Sequence, residues 1–217
     1  LFKIRSMKFV FVFALSFLGL HSCYSATSKK YPPDSLAISL DEGNDSIPIF
    51  ERIREHTAEL NDFLKTHREY QEQFAFLIDM RIHSGTKRFF VVDLKSGEII
   101  KKGLTTHGSG SEATSSDSLI FSNIPNSYCS SLGIYKIGSA YFGNFGRSYK
   151  LHGLEPTNNK AFERAVVLHR YSCVPDDEQS YPICNSLGCP MLSENFFPEI
   201  DEMIKGSSKP ILMEIYY

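Results

Sequence analysis

Apolar side chains recur every three or four positions between residues 49 and 66, with charged residues between them. This spacing places them on one face of a helix, because an α-helix repeats every 3.6 residues. The pattern therefore predicts an amphipathic helix over 49–66 that packs on another part of the molecule. The positions on its apolar face are Phe50, Ile53, Thr57, Leu60 and Leu64.

From residue 74 onward the pattern changes to short runs rich in β-branched and aromatic residues, which are typical of strands. Lys95–Gly97 predicts a hairpin turn, residues 103–118 form a polar loop rich in Gly, Ser and Thr, and 193–205 predicts a short helix. The fold class is therefore mainly β, with some helix (α+β). The predicted strands are 74–80, 88–93, 98–100, 133–137, 165–169 and 211–217.

The first 25 residues carry the pattern of an export signal. Met7 and Lys8 precede an apolar run at 9–20, which is shorter than the ~20 apolar residues that a membrane-spanning helix needs. We expect a secretory signal peptide that begins at Met7. Residues 1–6 are then vector-encoded or upstream sequence.

The end of this signal allows two outcomes. Residues 20–23 resemble a bacterial lipoprotein box, in which Cys23 would be lipidated and would tether the protein to a membrane. The alternative is ordinary cleavage after Ser25, which would release a soluble protein. Residues 26–48 are rich in Ser, Asp, Pro and Lys without periodicity, and they predict a flexible tether. Either way we expect an exported protein of the periplasm or cell envelope.

Composition and charge narrow the function. The chain has 217 residues, and 23 Lys and Arg against 25 Asp and Glu leave a formal net charge of −2. Nucleic-acid binding depends on concentrated positive charge, and no basic run is present, so a nucleic-acid partner is excluded. The length suits one folded domain, which we place at 49–217.

Candidate chemistry lies between His169 and Cys189. His169 ends a predicted strand, and Cys189 follows it in the segment Asn185–Pro190. A neighbouring imidazole can activate a thiol as a nucleophile, and Gly188 lets backbone N–H groups approach a developing oxyanion. The pair is suited to acyl transfer through a thioester.

The residues around this pair carry a family resemblance. The apolar strand 166–169 ending in His, followed by Ser186-Leu-Gly-Cys-Pro-Met191, resembles the catalytic signature of the murein L,D-transpeptidase catalytic domain family in its Gly-Cys-Pro form. Further segments occur in the family's order from about residue 50 to the end of the chain. They are 76–79, 84–88, 90–94, 106–109, 121–123, 130–135 and 146–154, followed by Asn158, Arg164, Ile215 and Tyr216.

This resemblance implies a β-sandwich or barrel catalytic domain with an N-terminal amphipathic helix and short peripheral helices. It implies an exported cysteine acyltransferase that takes the tetrapeptide stems of peptidoglycan as acyl donors and a neighbouring stem amine or water as acceptor. Cys189 would be the nucleophile and His169 its base and later its acid. Gly188 and Cys189 would provide oxyanion donors, and Ser186 would shape the site. No cofactor or metal is expected.

Two alternatives remain open from the sequence. One is an L,D-carboxypeptidase, in which water resolves the thioester. The other is a non-catalytic muropeptide-binding module on the same scaffold. Further candidates for substrate contact are His107, His152 with Gly153, and Tyr171, although each of them has an ordinary structural explanation as well.

The five cysteines are Cys23, Cys129, Cys173, Cys184 and Cys189. If Cys23 is lipidated and Cys189 is catalytic, Cys173 and Cys184 are placed to close a small loop by a disulfide, which an oxidising compartment permits. Zinc bound by His169, Cys173, Cys184 and Cys189 is the competing interpretation. The absence of a closely spaced Cys pair among the four disfavours zinc.

Overall fold

The computed structural model describes residues 46–113 and 118–217. The expected signal peptide, the lipidation site Cys23 and residues 26–45 of the expected tether lie outside the described residues. The last residues assigned to that tether, 46–48, belong instead to the first helix, which begins at Ser46.

One eight-stranded sheet forms the body of the domain. Along the sheet the strands follow the order β3-β2-β1-β8-β4-β5-β6-β7. Most neighbours are antiparallel, whereas the pairs β1–β8 and β6–β7 are parallel. The strands are β1 (Phe74–Asp79), β2 (Phe89–Asp93), β3 (Ile99–Gly103), β4 (Gly133–Gly143), β5 (Gly146–Gly153), β6 (Val167–Arg170), β7 (Met191–Leu192) and β8 (Leu212–Tyr216).

Two helices, α1 (Ser46–Thr66) and α2 (Phe196–Gly206), cover opposite faces of this sheet. Successive strand residues point to opposite faces, so Leu77 packs in the core beneath α1 while Phe76 packs in the core shared with α2. The apolar face predicted for α1 is buried at Ile53, Thr57, Leu60 and Leu64. Phe50 was wrongly assigned to this buried face, because it lies in the first turns of the helix and is 58% exposed. Within 46–113 and 118–217, no helix has the length and apolarity needed to cross a membrane.

The mainly β prediction is confirmed, and each predicted strand corresponds to an observed one. The Lys95–Gly97 turn is observed as well, because Asp93 Oδ1 accepts the N–H groups of Lys95 and Ser96. The pattern did not predict β5, β7 or the second half of β4. Strand β5 contains few large apolar residues, and it is held by antiparallel pairing with β4 on one side and β6 on the other.

Candidate active site

The register of β6 and β7 brings His169 and Cys189 to one face of the sheet. His169 pairs with Met191 in a parallel ladder, and the same offset places Val167 beside Cys189. The N–H of Val167 donates to Cys189 Sγ at 3.4 Å. Because residues two apart on a strand share a face, His169 points to the same side as Cys189.

The His169 ring is held in one orientation. Its Nδ1 lies 2.9 Å from the carbonyl oxygen of Arg170, and an oxygen acceptor requires the proton on Nδ1. The lone pair of the neutral imidazole is therefore on Nε2. Burial lowers the pKa of His169 below its ordinary value, and the Arg170 carbonyl partly opposes this shift.

The protein environment also favours the uncharged form of the Cys189 thiol. Burial raises its pKa, while the Val167 N–H and the positive charge of Arg164 lower it in part. Its S–H points toward the carbonyl of Ala165, 3.9 Å from the sulfur. The Cys189 thiol and the His169 imidazole, which line the same cleft, are therefore both neutral at neutral pH, so nucleophilic attack by the sulfur must be accompanied by proton transfer.

Gly188 has a backbone conformation that only glycine adopts without strain, with φ of +112°. A Cβ at this position would lie 2.9 Å from the carbonyl oxygen of Cys129. The Gly188 N–H donates to Ser186 Oγ at 3.0 Å, and Ser186 Oγ donates to the His107 carbonyl at 3.2 Å. Ser186 thus shapes the turn that presents Cys189.

This arrangement corrects one expectation from the sequence. The Gly188 amide was expected to stabilise an oxyanion together with Cys189, but its N–H is already bonded to Ser186. Among the residues that the structure describes, the Cys189 N–H makes no hydrogen bond. The Cys189 amide is therefore the backbone donor that remains open for a substrate oxygen.

Arg164 connects the turn that carries Cys189 to the loop that contains Ser122 and Cys129. Its guanidinium donates to the carbonyls of Cys129, at 2.5 Å, and Ser122, at 2.8 Å. It lies within 3.4 Å of the position that a Cβ on Gly188 would occupy. This cation fixes the wall of the site and lowers the pKa of the Cys189 thiol.

A cleft of about 500 Å³ opens over the pair, and its lining includes His169, Cys189 and Arg164. Its exposed lining includes four aromatic or apolar side chains, Tyr128, Phe145, Tyr171 and Leu187, of which Leu187 is 67% exposed. The polar Asn126 and Glu163 are exposed there as well. Tyr171, a candidate from the sequence, therefore lies at the cleft. A cleft of this size holds ligands of small-molecule to peptide dimensions.

The other histidine candidates lie elsewhere. His107 lines a second cavity and reaches the catalytic segment through its carbonyl, which accepts from Ser186. His152 lines a third cavity and stacks on Phe162, with ring centroids 4.8 Å apart. Gly153 packs against the backbone of Asn158. The structure does not bring His152 or Gly153 to the Cys189 cleft, because β5 carries them past the point where it pairs with His169.

Cys173 and Cys184 are joined by a disulfide, with Cα atoms 6.1 Å apart. The bridge lies within the connection between β6, which carries His169, and the segment before β7, which carries Cys189. A small apolar cluster of Leu104, Val174, Ile183 and Met191 lies beneath it. Since both sulfurs are bonded to each other, the four-ligand zinc interpretation is excluded.

Three features of the site were not predicted from the sequence. Phe145 stacks on the His169 ring, Arg164 supports the Cys189 turn, and Ala165 has a positive φ of 55° two residues before β6. The contacts of Phe145 and Arg164 join segments far apart in the chain. The positive φ of a non-glycine residue gives no sequence signal, because Ala rarely adopts it.

Most of the chain matches one known protein family. Residues 49–212 match the L,D-transpeptidase catalytic domain family. No curated protein sequence matches the chain significantly.

Solved structures show distant similarity to this chain. An L,D-transpeptidase (residues 123–326) from Xylanimonas cellulosilytica shares 12% identity over 67% of this chain and 61% of its own, with a TM-score of 0.40. An L,D-transpeptidase from Mycobacterium smegmatis shares 10% identity over 67% of this chain and 59% of its own, at 0.41. L,D-transpeptidase 1 of Mycobacterium tuberculosis shares 12% identity over 67% of this chain and 62% of its own, with a TM-score of 0.36. The chain thus spans about three fifths of the length of these structures.

Proposed function

The chain belongs to the L,D-transpeptidase catalytic domain family, and from this premise we propose that it is a murein L,D-transpeptidase that acts through a thioester on Cys189. Its acyl donor is the tetrapeptide stem of peptidoglycan. Its acceptor is an amine of a neighbouring stem.

One observation carries this proposal: His169 on β6 and Cys189 in the segment before β7 lie on the same face of the sheet and line one cleft. The Nδ1 proton of His169 is bonded to the Arg170 carbonyl. His169 Nε2 is therefore free to take a proton. A nucleophile, a base and a carbonyl that orients the base make up the arrangement that nucleophilic catalysis requires.

In the acylation step, Cys189 Sγ attacks the carbonyl carbon at the L-centre of the diamino acid, and its proton passes to His169 Nε2. The Cys189 N–H donates to the resulting oxyanion. When the intermediate collapses, the C–N bond breaks, and His169 returns the proton to the departing amine of D-Ala. A thioester and a neutral imidazole remain.

In the second step, the acceptor amine attacks the thioester carbonyl. His169 removes a proton from the attacking nitrogen, and the new C–N bond forms as the C–S bond breaks. The sulfur leaves as a thiolate and takes the proton from His169. The thiol, the imidazole and the cross-linked peptide result, so all atoms and protons balance.

The aromatic and apolar side chains of the rim favour amine over water as the acceptor. Tyr128, Phe145, Tyr171 and Leu187 line the cleft and reduce the access of water to a thioester on the half-buried Cys189. Exclusion of water protects an acyl intermediate from hydrolysis. This feature supports transpeptidation over carboxypeptidation.

Export to the periplasm or cell envelope is part of the proposal. The Cys173–Cys184 disulfide supports it, because disulfides persist in oxidising compartments. Peptidoglycan stems also lie outside the cytoplasm. Anchoring through a lipidated Cys23 remains the form of attachment that we propose for the exported protein.

The test is incubation of the protein with a defined tetrapeptide muropeptide, followed by mass spectrometry of protein and products. We expect an adduct on Cys189 that lacks D-Ala, and a cross-linked product in the presence of a second stem. The Cys189→Ala variant is the control and should give neither. A tripeptide product without cross-links would instead identify a carboxypeptidase, and the absence of any adduct would favour a binding module.

A further inference from the structure

A second cavity of about 510 Å³ lies on the far side of the wall behind the catalytic segment. Its lining includes Arg88, His107 and Glu112 but neither Cys189 nor His169. Two contacts form the shared wall: Asn185 donates to Glu112 at 2.7 Å, and the Ser186 N–H donates to the His107 carbonyl at 2.9 Å. The cavity is therefore separate from the Cys189 cleft, although it adjoins it.

Arg88 brings a buried positive charge to this cavity. It is 1% exposed, and three of its five N–H bonds are directed at neutral acceptors on Thr105, Ile82 and His107. The nearby carboxylate of Asp79 is already engaged by the Arg52 side chain and the Arg81 N–H. A buried charge without a direct counter-ion is costly, so an anionic ligand group beside it is stabilised.

His107 adds a directed donor. Its Nδ1 accepts from Arg88 Nη2 at 2.9 Å, which leaves the proton of the neutral ring on Nε2. His107 is 5% exposed, and Nε2 is buried without a hydrogen-bond partner. An unsatisfied buried donor costs about 1–3 kcal/mol, and a ligand oxygen would remove that cost.

Glu112 supplies the opposite charge at the same end of the cavity. Its Oε1 lies 3.6 Å from His107 Nε2, beyond hydrogen-bond distance. A simple carboxylate ligand would be repelled by Glu112. A ligand that carries an ammonium group next to its carboxylate would meet both charges.

We propose that this cavity binds a free α-amino acid, with its carboxylate at Arg88 and His107 and its ammonium group at Glu112. The volume lies in the range of small-molecule sites, about 300–1,000 Å³. Arg81 also lines the cavity and adds a second positive charge to it. The proposal goes beyond the transpeptidase reaction and does not depend on turnover.

The experiment is saturation-transfer NMR of the intact protein with alanine, in both enantiomers, and with acetate, which lacks the ammonium group. Protein whose Cys189 is blocked with iodoacetamide is measured in parallel. We expect transfer to the alanine methyl group with and without the block, and binding at least about tenfold tighter for alanine than for acetate, since a charge-assisted hydrogen bond is worth about 1.5–3 kcal/mol.

Two variants locate the binding. Glu112→Gln removes the ammonium partner from a half-exposed side chain and should abolish the preference for alanine over acetate. The matched control Glu199→Gln alters a similarly exposed carboxylate on α2 and should keep it. His107→Leu should weaken the binding of alanine and of acetate by about tenfold each. If His107→Leu does not fold, the comparison of Glu112→Gln with Glu199→Gln tests the proposal by itself. No transfer to either alanine enantiomer, loss of transfer on blocking Cys189, or an unchanged preference in Glu112→Gln would overturn the proposal.

Discussion

The rings of Phe145 and His169 lie stacked, with centroids 4.1 Å apart and planes inclined by 24°. Phe145 belongs to the turn between β4 and β5, and Tyr171 meets it edge-on at 5.5 Å. The hairpin thus covers the imidazole. This cover contributes to the burial that lowers the pKa of His169, so Phe145 is a positioning residue for the base.

Replacing Phe145 tests this role. Phe145→Ala should admit water to the imidazole, raise the pKa of His169 toward about 6.5 and slow acylation by about tenfold to a hundredfold, because the ring loses its fixed orientation. NMR titration of the imidazole and the acid limb of the acylation rate measure both effects. Phe145→Tyr, which preserves the stack, should behave like wild type. An unchanged His169 pKa in Phe145→Ala would contradict the role.

Cys189→Ala should abolish acylation and leave the fold intact. The thiol is needed for chemistry, whereas a methyl group fits the site that the sulfur occupies. Mass spectrometry with a muropeptide or a carbapenem checks the adduct, and thermal unfolding checks the fold. Acylation of another residue at the wild-type rate would show that the nucleophile is misassigned.

His169→Gln should lower the acylation rate by about 100-fold to 10,000-fold at neutral pH, because Gln keeps polarity and size but accepts no proton. In wild type, the acid limb of the rate should have its midpoint below about 6.5, since burial lowers the His169 pKa. Single-turnover acylation across pH measures both. A wild-type rate in the variant would point to a different base.

The stability of the domain should fall in acid because of His107. Burial and the Arg88 charge lower the pKa of His107 to about 4, whereas unfolded His titrates near about 6.5. The unfolded state therefore binds more protons between these values, so stability falls as pH drops through this window, by up to about 3 kcal/mol. His107→Gln should flatten this dependence in urea unfolding.

Loss of the Cys173–Cys184 bridge should destabilise the domain by about 3 kcal/mol, as expected for a short closed loop. Paired Cys173→Ser and Cys184→Ser substitutions, compared with wild type in urea, measure this difference. Peptide mapping without reductant should recover the two cysteines as one linked species. Recovery of both as free thiols from the exported protein would refute the bridge.

The sequence alone determined the amphipathic helix, the mainly β class and the positions of His169 and Cys189. Local periodicity reports these, since an apolar face or an alternating strand must be buried wherever it packs. Ile53, Leu60 and Leu64 are buried as their spacing predicted. The family resemblance rested on the same local segments.

Only the tertiary structure decided which residues meet. Strand β5 follows no strong apolar pattern and exists because β4 and β6 pair with it. The parallel register of β6 and β7 brings His169 and Cys189 to one face. The antiparallel register of β5 and β6 carries His152 away from them, and the turn between β4 and β5 brings Phe145, a residue with no local signal, against the His169 ring. The Gly188 amide was assigned to the oxyanion from its motif, yet its bond to Ser186 depends on a turn that His107 holds from 79 residues earlier in the chain. Such pairings join distant segments, so no local pattern records them.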